Sequence, residues 1–233
     1  MSERYYSQHG QDQVLDKLVF KQKRAGIFLD IGANDGVTYS NTYFLEKERG
    51  WGGLCVEPLP SAFEKLKAQR SCQMENCAVG SKDGKDVLLE ITGYSEMLSG
   101  LKKNYHKDHL GRIDEELSSH GGNKREIEIT VSNVNNLLRK HELVNVDYCN
   151  IDTEGSETEI LNAIDFKKIR IDVITVEANY RIERWKIKFR LYLNGYRYIA
   201  NLGSDMLFVH KRFLKNNRDL VREVQQSIVN HAK

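Results

Sequence analysis

The chain has 233 residues, of which 40% are hydrophobic and 29% charged, with a net charge of +2 at pH 7 and only two prolines. This length fits one domain with a complete core, and the composition is that of a globular protein, not of a disordered or fibrous one. The near-neutral charge gives no support for a nucleic-acid partner, because nucleic-acid-binding proteins concentrate basic residues on one face.

Apolar runs and cysteines bear on where the protein resides. The longest apolar runs fall far short of the roughly 20 residues that span a bilayer. The start, Met1-Ser2-Glu3-Arg4, lacks the apolar core of a signal peptide. The four cysteines show no paired zinc spacing, and three of them lie in or beside expected buried strands. We therefore expect no membrane span, free thiols and a cytoplasmic location.

The first motif joins a buried strand to a glycine turn. An apolar run from Ile27 to Ile31 contains Asp30 and leads directly into Gly32-Ala33-Asn34-Asp35-Gly36. The helical stretch from Tyr39 to Arg49 comes next. This order predicts the strand-turn-helix unit of a doubly wound sheet, in which ligands lie at the mouth of the turn.

The charges of this turn favour a cationic ligand over a dinucleotide. A dinucleotide fingerprint needs a glycine where this chain has Asn34, and the carboxylates of Asp30 and Asp35 would lie beside the pyrophosphate. A helix dipole, worth roughly 0.3–1 kcal/mol, would not offset that repulsion. S-adenosylmethionine carries an ammonium and a sulfonium and no phosphate, so it matches an acidic strand end. The alternative is a tight connection that binds no ligand.

A second short strand also ends in an acid. The run from Trp51 to Val56 is typical of a buried strand, Glu57 follows it and Pro58 stops it. In nucleoside-binding folds an acidic side chain at the end of the second strand accepts hydrogen bonds from both ribose hydroxyls. Glu57 is therefore the candidate ribose ligand, and the alternative is a surface glutamate at a strand end.

Strands and helices alternate along much of the remaining chain. Further strands are expected at Met74 to Val79, Asp86 to Thr92, Arg125 to Val131, Val146 to Asp152, Asp172 to Glu177, Tyr196 to Leu202 and Met206 to His210. Helical periods, such as that of Phe189, Tyr192 and Leu193, separate several of them and predict parallel β-α-β units. The last two strands are joined by a three-residue turn, Gly203-Ser204-Asp205, so they should pair as an antiparallel hairpin.

The fold prediction is therefore an α/β fold with a mostly parallel central sheet, an antiparallel C-terminal hairpin and helices on both faces. Between Tyr94 and Lys124 the sequence becomes polar and basic and loses its apolar period. Such a segment is typical of a lid or acceptor-binding region, and the alternative is a solvated surface excursion. We expect one domain over residues 1–214, followed by an amphipathic helical tail at residues 215–233.

A third strand also runs into acids and a glycine. The run from Val146 to Ile151 is followed by Asp152-Thr153-Glu154-Gly155. Because the carboxyl ends of parallel strands share one edge of the sheet, the acids that end these strands should converge there. These acids are Asp30, Glu57, Asp152 and Glu177. A favourable helix dipole would account for one of them but not for the set.

Taken together, these runs resemble the FkbM-type methyltransferases, a family of S-adenosylmethionine-dependent O-methyltransferases. The matching runs are Tyr6 to Asp12, Phe28 to Gly36, Gly53 to Pro58, Asn76 to Gly80, Asn150 to Gly155 and Ile174 to Glu177. The resemblance implies the Rossmann-like class I methyltransferase fold and methyl transfer to a hydroxyl, commonly on a sugar of a glycan or on a natural product. A non-sugar hydroxyl and a non-catalytic nucleoside-binding module are the alternatives. Both a free enzyme and one module of a larger glycan-synthesis polypeptide fit this sequence.

The resemblance also implies roles for single residues. It places Asp30, Gly32, Asn34 and Gly36 around the methionine end of S-adenosylmethionine, Glu57 on the ribose with Pro58 beside it, and Cys77 and Ala78 beside the adenine. Gln8, together with Ser7 and Asp12, would lie over the cofactor as an N-terminal flap.

Transfer to a sugar hydroxyl needs a group that takes or stabilises its proton, because this hydroxyl does not ionise at neutral pH. Asp152 is the first candidate base, Glu177 the second, and a histidine of the insertion, His106 or His109, the third. Asp152 and Glu177 are also candidate ligands of Mg²⁺ or another divalent cation, which would lower the pKa of the hydroxyl. The alternatives are an orienting role for Glu177 and ordinary surface positions for the histidines.

Overall fold

The computed structural model describes residues 3–93, 98–104 and 107–231. Within these ranges the strands are β1 (Ile27–Ile31), β2 (Gly52–Val56), β3 (Gln73–Glu75), β4 (Ala78–Gly80), β5 (Gly84–Ile91), β6 (Gly100–Leu101), β7 (Lys124–Asn133), β8 (Asn145–Ile151), β9 (Arg170–Glu177), β10 (Tyr196–Leu202) and β11 (Asp205–His210). The α-helices are α1 (Gln11–Val14), α2 (Tyr43–Arg49), α3 (Pro60–Gln69), α4 (Lys107–His120), α5 (Val134–Lys140), α6 (Glu157–Ala163), α7 (Arg181–Leu193), α8 (Lys211–Asn216) and α9 (Leu220–His231). A π-helical turn, Leu15–Val19, continues α1.

The main sheet has the strand order β10-β11-β9-β8-β1-β2-β3. Its strands β3, β2, β1, β8 and β9 pair in parallel, whereas β11 pairs antiparallel with both β9 and β10. This arrangement confirms the predicted mostly parallel sheet with an antiparallel C-terminal hairpin. Strands β2 and β3 follow β1 on one side of it, and the later strands β8 and β9 lie on its other side. A ligand crevice is expected where the order reverses, at the carboxyl ends of β1 and β8.

Helices cover both faces of the main sheet, because successive side chains of a strand point to opposite faces. On β1, Leu29 and Ile31 belong to one buried cluster, to which α5, α6 and α7 contribute Leu137, Ile160 and Ile187. Phe28 faces the other way, into a second cluster that receives residues from the N-terminal helical segment and from α2, α3 and α9. None of the described helices is long and apolar enough to cross a membrane.

A second sheet, of order β4-β7-β5-β6, interrupts the expected alternation of strands and helices. The prediction of one strand from Met74 to Val79 is wrong, because β3 and β4 belong to different sheets. The extended strand is interrupted between them, at Asn76. The side-chain amide of Asn76 donates to the carbonyl oxygens of Glu57 and Pro58 at 2.8 and 3.2 Å. In this second sheet β5 and β7 pair antiparallel from Gly84↔Val131 to Ile91↔Lys124, whereas β4 and β7 pair in parallel.

The insertion between Tyr94 and Lys124 is more regular than its polar composition suggests. It contains β6, a short 3-10 turn at Lys102–Asn104 and the helix α4. Ile113 of α4 is fully buried, and Leu117, one helical turn later, packs partly against the same small cluster, which includes Leu89 and Ile91 of β5. Two apolar residues four positions apart are enough to dock a polar helix, and this signal is too sparse to define a period.

Candidate active site

A pocket open to solvent lies at the carboxyl edge of the main sheet. The ends of β1, β2 and β8 form one side of it, and residues of β4 and β6 form the other. The residues predicted to bind the cofactor that line it are Gly32, Asn34, Glu57, Pro58, Cys77 and Ala78. Asp152, Thr153 and Glu154 continue the wall beyond the glycine turn, and Ser99, Gly100 and Leu101 bring the insertion into it. The topology therefore gathers residues from distant parts of the sequence into one cavity.

The glycine turn is packed directly against the end of β8. The backbone N–H of Asp152 donates to the carbonyl of Ile31 at 2.9 Å. Gly32 has a φ of +90°, and a Cβ added there would lie only 1.6 Å from the carbonyl oxygen of Asp152. Only glycine therefore fits this approach of the two strands. Its N–H donates to the carbonyl of Val56 at 2.9 Å, which ties the turn to β2 as well.

Glu57 is fixed in the pocket by two backbone donors. Its Oε2 accepts from the N–H of Asn34 and its Oε1 from the N–H of Leu59, each at 2.8 Å. Asn34 adopts a left-handed φ of 49°, which asparagine tolerates better than most residues. Each carboxylate oxygen has a second acceptor site and can therefore take one further hydrogen bond from a ligand hydroxyl. Burial raises the pKa of Glu57 to about 7, although the two backbone donors oppose this shift.

Three carboxylates meet at the other end of the pocket. Asp152, Glu154 and Glu177 place one carboxylate oxygen each within 4.8 Å of one another. Burial is the main reason that the pKa of Asp152 lies well above its usual range, and the charges of Glu177 and Glu154 add to it. Burial also raises the pKa of Glu177. Negative charges this close repel one another, and this repulsion opposes the loss of protons from the cluster. Chemically, it can accept a proton or offer oxygen ligands to a cation.

The loop that carries Thr153 and Glu154 is held by Glu157, at the start of α6. Its Oε1 accepts from the N–H groups of Thr153 and Gly155 at 2.9 and 3.1 Å. Glu157 is buried, and its carboxylate fixes the direction in which the chain leaves β8. It therefore orients the acids of the pocket without lining the pocket itself.

Asp30 lies beneath the pocket and is not among the residues that line it. Its side chain is 2% exposed and accepts from Thr42 Oγ1 at 2.6 Å and from Asn150 Nδ2 at 3.0 Å. The alternation of β1 explains this position, because Asp30 points to the same face as Phe28. A direct contact with the methionine end of the cofactor remains a prediction.

A buried polar network under the rim escaped the sequence analysis. Asp205, 4% exposed, accepts from Gln11 Nε2 at 3.0 Å and from Asn41 Nδ2 at 3.1 Å. It pairs in register with Glu177, because β11 starts at the edge where β9 ends. The hairpin turn Gly203-Ser204-Asp205 was the sequence signal that could have located Asp205. An antiparallel strand that follows such a turn has its first residue at the carboxyl edge of the parallel strands.

Gly36, Gln8 and Glu177 are predicted site residues that do not line the pocket. Gly36 packs against α3, and its carbonyl accepts from Arg70 Nη1 at 3.0 Å. Gln8 is exposed, and the flap role of this segment remains a prediction. Glu177 does not line the pocket, but it shares a hydrogen bond with Asp152 and brings a carboxylate oxygen within 4.8 Å of those of Asp152 and Glu154. His106 lies outside the described residues, and His109 falls within α4.

Comparison with known proteins places this chain in a family. The model of the Methyltransferase FkbM domain matches residues 30–216. A solved FkbM methyltransferase from Methylobacillus flagellatus is 12% identical, with a TM-score of 0.46 over 83% of this chain and 47% of that one. A precorrin-6y C5,15-methyltransferase from Geobacter metallireducens is 12% identical, with a TM-score of 0.43 over 90% of each chain. The N-terminal domain of human METTL16 in complex with SAH is also 12% identical, with a TM-score of 0.40 over 84% of this chain and 66% of that one.

This chain thus spans about half the length of the solved FkbM protein. No curated protein sequence matches it. The family model, in contrast, covers most of the chain, from the end of β1 to α8, and so includes the glycine turn, Glu57 and the carboxylate cluster. The family predicted from the sequence is therefore confirmed, and the chain belongs to the FkbM methyltransferase domain family.

Proposed function

We propose that this methyltransferase transfers the methyl group of S-adenosylmethionine to a hydroxyl of a sugar in a glycan or glycoconjugate. The observation that carries the proposal is the single pocket that joins Glu57 to the carboxylates around Asp152 across the glycine turn. One end of this pocket suits a ribose, and the other suits the removal of a proton from an acceptor.

The residues present fit the proposed cofactor. Glu57 would accept from both ribose hydroxyls, because each of its oxygens has one backbone donor and one further acceptor site. Gly32 and Asn34 line the pocket at the turn, where the methionine end would lie, and the acidic rim suits its positive charges. Cys77, Ala78 and Leu101 offer apolar surface to the adenine. When bound, S-adenosylmethionine supplies an electrophilic methyl group on a sulfonium.

Asp152 is the proposed general base. It lines the pocket next to the glycine turn, and the burial and neighbouring acids that raise its pKa would make its carboxylate, once ionised, a stronger proton acceptor than an exposed aspartate. The hydroxyl proton would pass to a carboxylate oxygen of Asp152, while Glu177 orients Asp152 through their hydrogen bond. Holding the acceptor oxygen in a near-attack position supplies much of the remaining rate. A divalent cation held by Asp152 and Glu177, with Glu154 as a third ligand, is the alternative use of the same cluster.

The acceptor end of the pocket supports a polar substrate. Ser99, Thr153 and Glu154 line it with groups that hydrogen-bond to hydroxyls.

The acceptor can be identified by isotope transfer. The protein is incubated with a glycan extract and a methyl donor labelled on the methyl group, and the products are sequenced by mass spectrometry. We expect the label on a sugar oxygen, and labelling that is about 10²- to 10⁴-fold slower when Asp152→Asn replaces the wild type. Label confined to phenolic or peptidic acceptors would contradict the sugar assignment. Absence of label in every fraction, although S-adenosylmethionine binds, would favour a non-catalytic nucleoside-binding module, and absence of binding would contradict the cofactor assignment.

Cofactor affinity should depend on pH through Glu57. Because its pKa is raised to about 7, the free protein holds it neutral at lower pH, whereas ribose binding favours the ionised acceptor. Below about pH 7, binding must therefore release a proton, and the affinity should fall up to about tenfold per pH unit. Above that pH the affinity should level off. Calorimetry with S-adenosylmethionine between pH 5.5 and 8.5, in buffers of different ionisation enthalpy, measures both the affinity and the released proton.

Glu57→Gln isolates this effect. A glutamine amide would turn its NH₂ group toward one of the two backbone donors, so we expect roughly 10- to 100-fold weaker binding and a flat pH profile. Glu128→Gln, an exposed carboxylate on β7, is the control and should keep the wild-type profile. A wild-type affinity independent of pH, or an equal slope in Glu57→Gln, would contradict the assignment.

A further inference from the structure

Helix α7 turns an apolar stripe toward solvent. The stripe consists of Ile182, Trp185, Phe189, Tyr192 and Leu193, which are 71, 66, 52, 65 and 62% exposed. At 100° per residue these positions fall within an arc of about 100° on the helix surface. The rings of Trp185 and Phe189 stack with their centroids 5.5 Å apart. We refer to these five residues as the α7 stripe.

The stripe is not needed to hold the helix on the protein. The opposite side of α7 contributes Ile187 and Leu191, which are 1% and 0% exposed and belong to the main buried cluster. Arg190 adds hydrogen bonds to carbonyl oxygens at the end of α6. The helix is therefore apolar on two sides, one buried and one exposed. A contiguous exposed apolar patch on a folded protein marks an interaction surface.

Basic side chains accompany the stripe. Arg181 and Lys186 are exposed beside it, whereas Arg184 and Arg190 are half-buried and donate to carbonyl oxygens of neighbouring elements. Within α7 the basic residues are Arg181, Arg184, Lys186, Lys188 and Arg190, against the single acid Glu183. The helix thus carries a net charge of +4, whereas the whole chain carries +2, so the rest of the molecule is slightly acidic. From the neighbouring α8, Lys211 adds a cation 5.4 Å from the ring centroid of Tyr192. Aromatic and cationic groups are therefore interleaved on this face.

We propose that the α7 stripe docks on an anionic lipid surface. An exposed apolar stripe flanked by lysine and arginine is the arrangement with which amphipathic helices lie in a membrane interface, and each cation near an anionic surface adds to binding. Charge selects this occupant over a second copy of the chain. A two-fold contact would bring two helices of net charge +4 face to face, and like charges oppose such a contact. The inference does not depend on the methyl acceptor.

Vesicle binding tests the proposal. The full chain is floated with vesicles of phosphatidylcholine containing about 30 mol% phosphatidylglycerol, and with phosphatidylcholine alone, at low salt. We expect binding to the anionic vesicles that is at least about tenfold tighter than to the neutral ones and is weakened by salt. The chain has two tryptophans, and Trp51 is 3% exposed, so a blue shift of the emission on binding would report Trp185.

Matched variants identify the surface. Trp185→Ser with Phe189→Ser removes apolar groups that are exposed, so the fold should persist by circular dichroism while vesicle binding falls about tenfold or more. Lys186→Glu with Lys188→Glu should weaken binding similarly, and Lys82→Glu, an exposed lysine between β4 and β5, should not. No binding to anionic vesicles, or binding that survives both double variants, would overturn the proposal. A dimer that Trp185→Ser with Phe189→Ser dissociates would also overturn it, and would assign the stripe to a second copy.

Discussion

Replacing Asp152 by Asn is expected to lower kcat by about 10²- to 10⁴-fold, the usual contribution of a general base. Binding of S-adenosylmethionine should stay within about threefold of the wild type, since asparagine has a similar shape and the ribose ligand is elsewhere. The variant also removes one acid from a crowded cluster, so its thermal stability should be equal or higher. Single-turnover kinetics with the labelled donor, together with calorimetry, measure the two effects separately.

Turnover of the wild type in the presence of a chelator distinguishes a general base from a metal ligand. If Asp152 acts as the base, wild-type turnover persists in a chelator and added Mg²⁺ does not change it. If Asp152 and Glu177 hold a cation, turnover is lost in the chelator and returns with Mg²⁺. Equal losses of cofactor binding and turnover in Asp152→Asn would make Asp152 a cofactor ligand and the catalytic assignment wrong.

Replacing Gly32 by Ala should cost about 3 to 5 kcal/mol of unfolding free energy and remove cofactor binding. The new Cβ would lie 1.6 Å from the carbonyl oxygen of Asp152, and both groups belong to backbone at the ends of paired strands. Neither group can move without separating β1 from β8, so the glycine turn and the carboxylate cluster should be disturbed together. Urea denaturation, read by circular dichroism, measures the loss.

Gly50 provides a matched control for this substitution. It also has a positive φ, +67°, yet a Cβ added there meets nothing within 4 Å. Gly50→Ala therefore introduces the strain of a positive φ without a steric clash. It should lower the free energy of unfolding by only about 1 kcal/mol. If Gly32→Ala costs no more than Gly50→Ala, the strand ends have room to separate and the proposed role of this glycine is wrong.

The sequence could predict the main sheet because the relevant signals are local. The run from Ile27 to Gly36 encodes a strand and its turn, and parallel strands bring Glu57 and Asp152 to the edge where Gly32 lies. Asp205 could not be found in the same way. It reaches the rim from a strand that runs in the opposite direction, so its place depends on pairing and not on a motif.

Helical periodicity in the sequence also does not determine which apolar side of a helix packs against the protein. Phe189, Tyr192 and Leu193 predicted α7 correctly, yet all three are exposed, while Ile187 and Leu191 are buried. A helix with two apolar sides gives the same pattern whichever side packs inward. The break after β3 was hidden for a related reason, since it depends on hydrogen bonds from Asn76 to residues distant in the sequence.

The hydrogen bond between Gln11 and Asp205 joins positions 194 residues apart beneath the rim. During synthesis the ribosome releases the first helix long before the last strand, so the nascent chain cannot assemble this support until its final hairpin has emerged. Fragments that end before β11 should consequently lack a complete floor under the pocket, whatever part of the parallel sheet they have already formed.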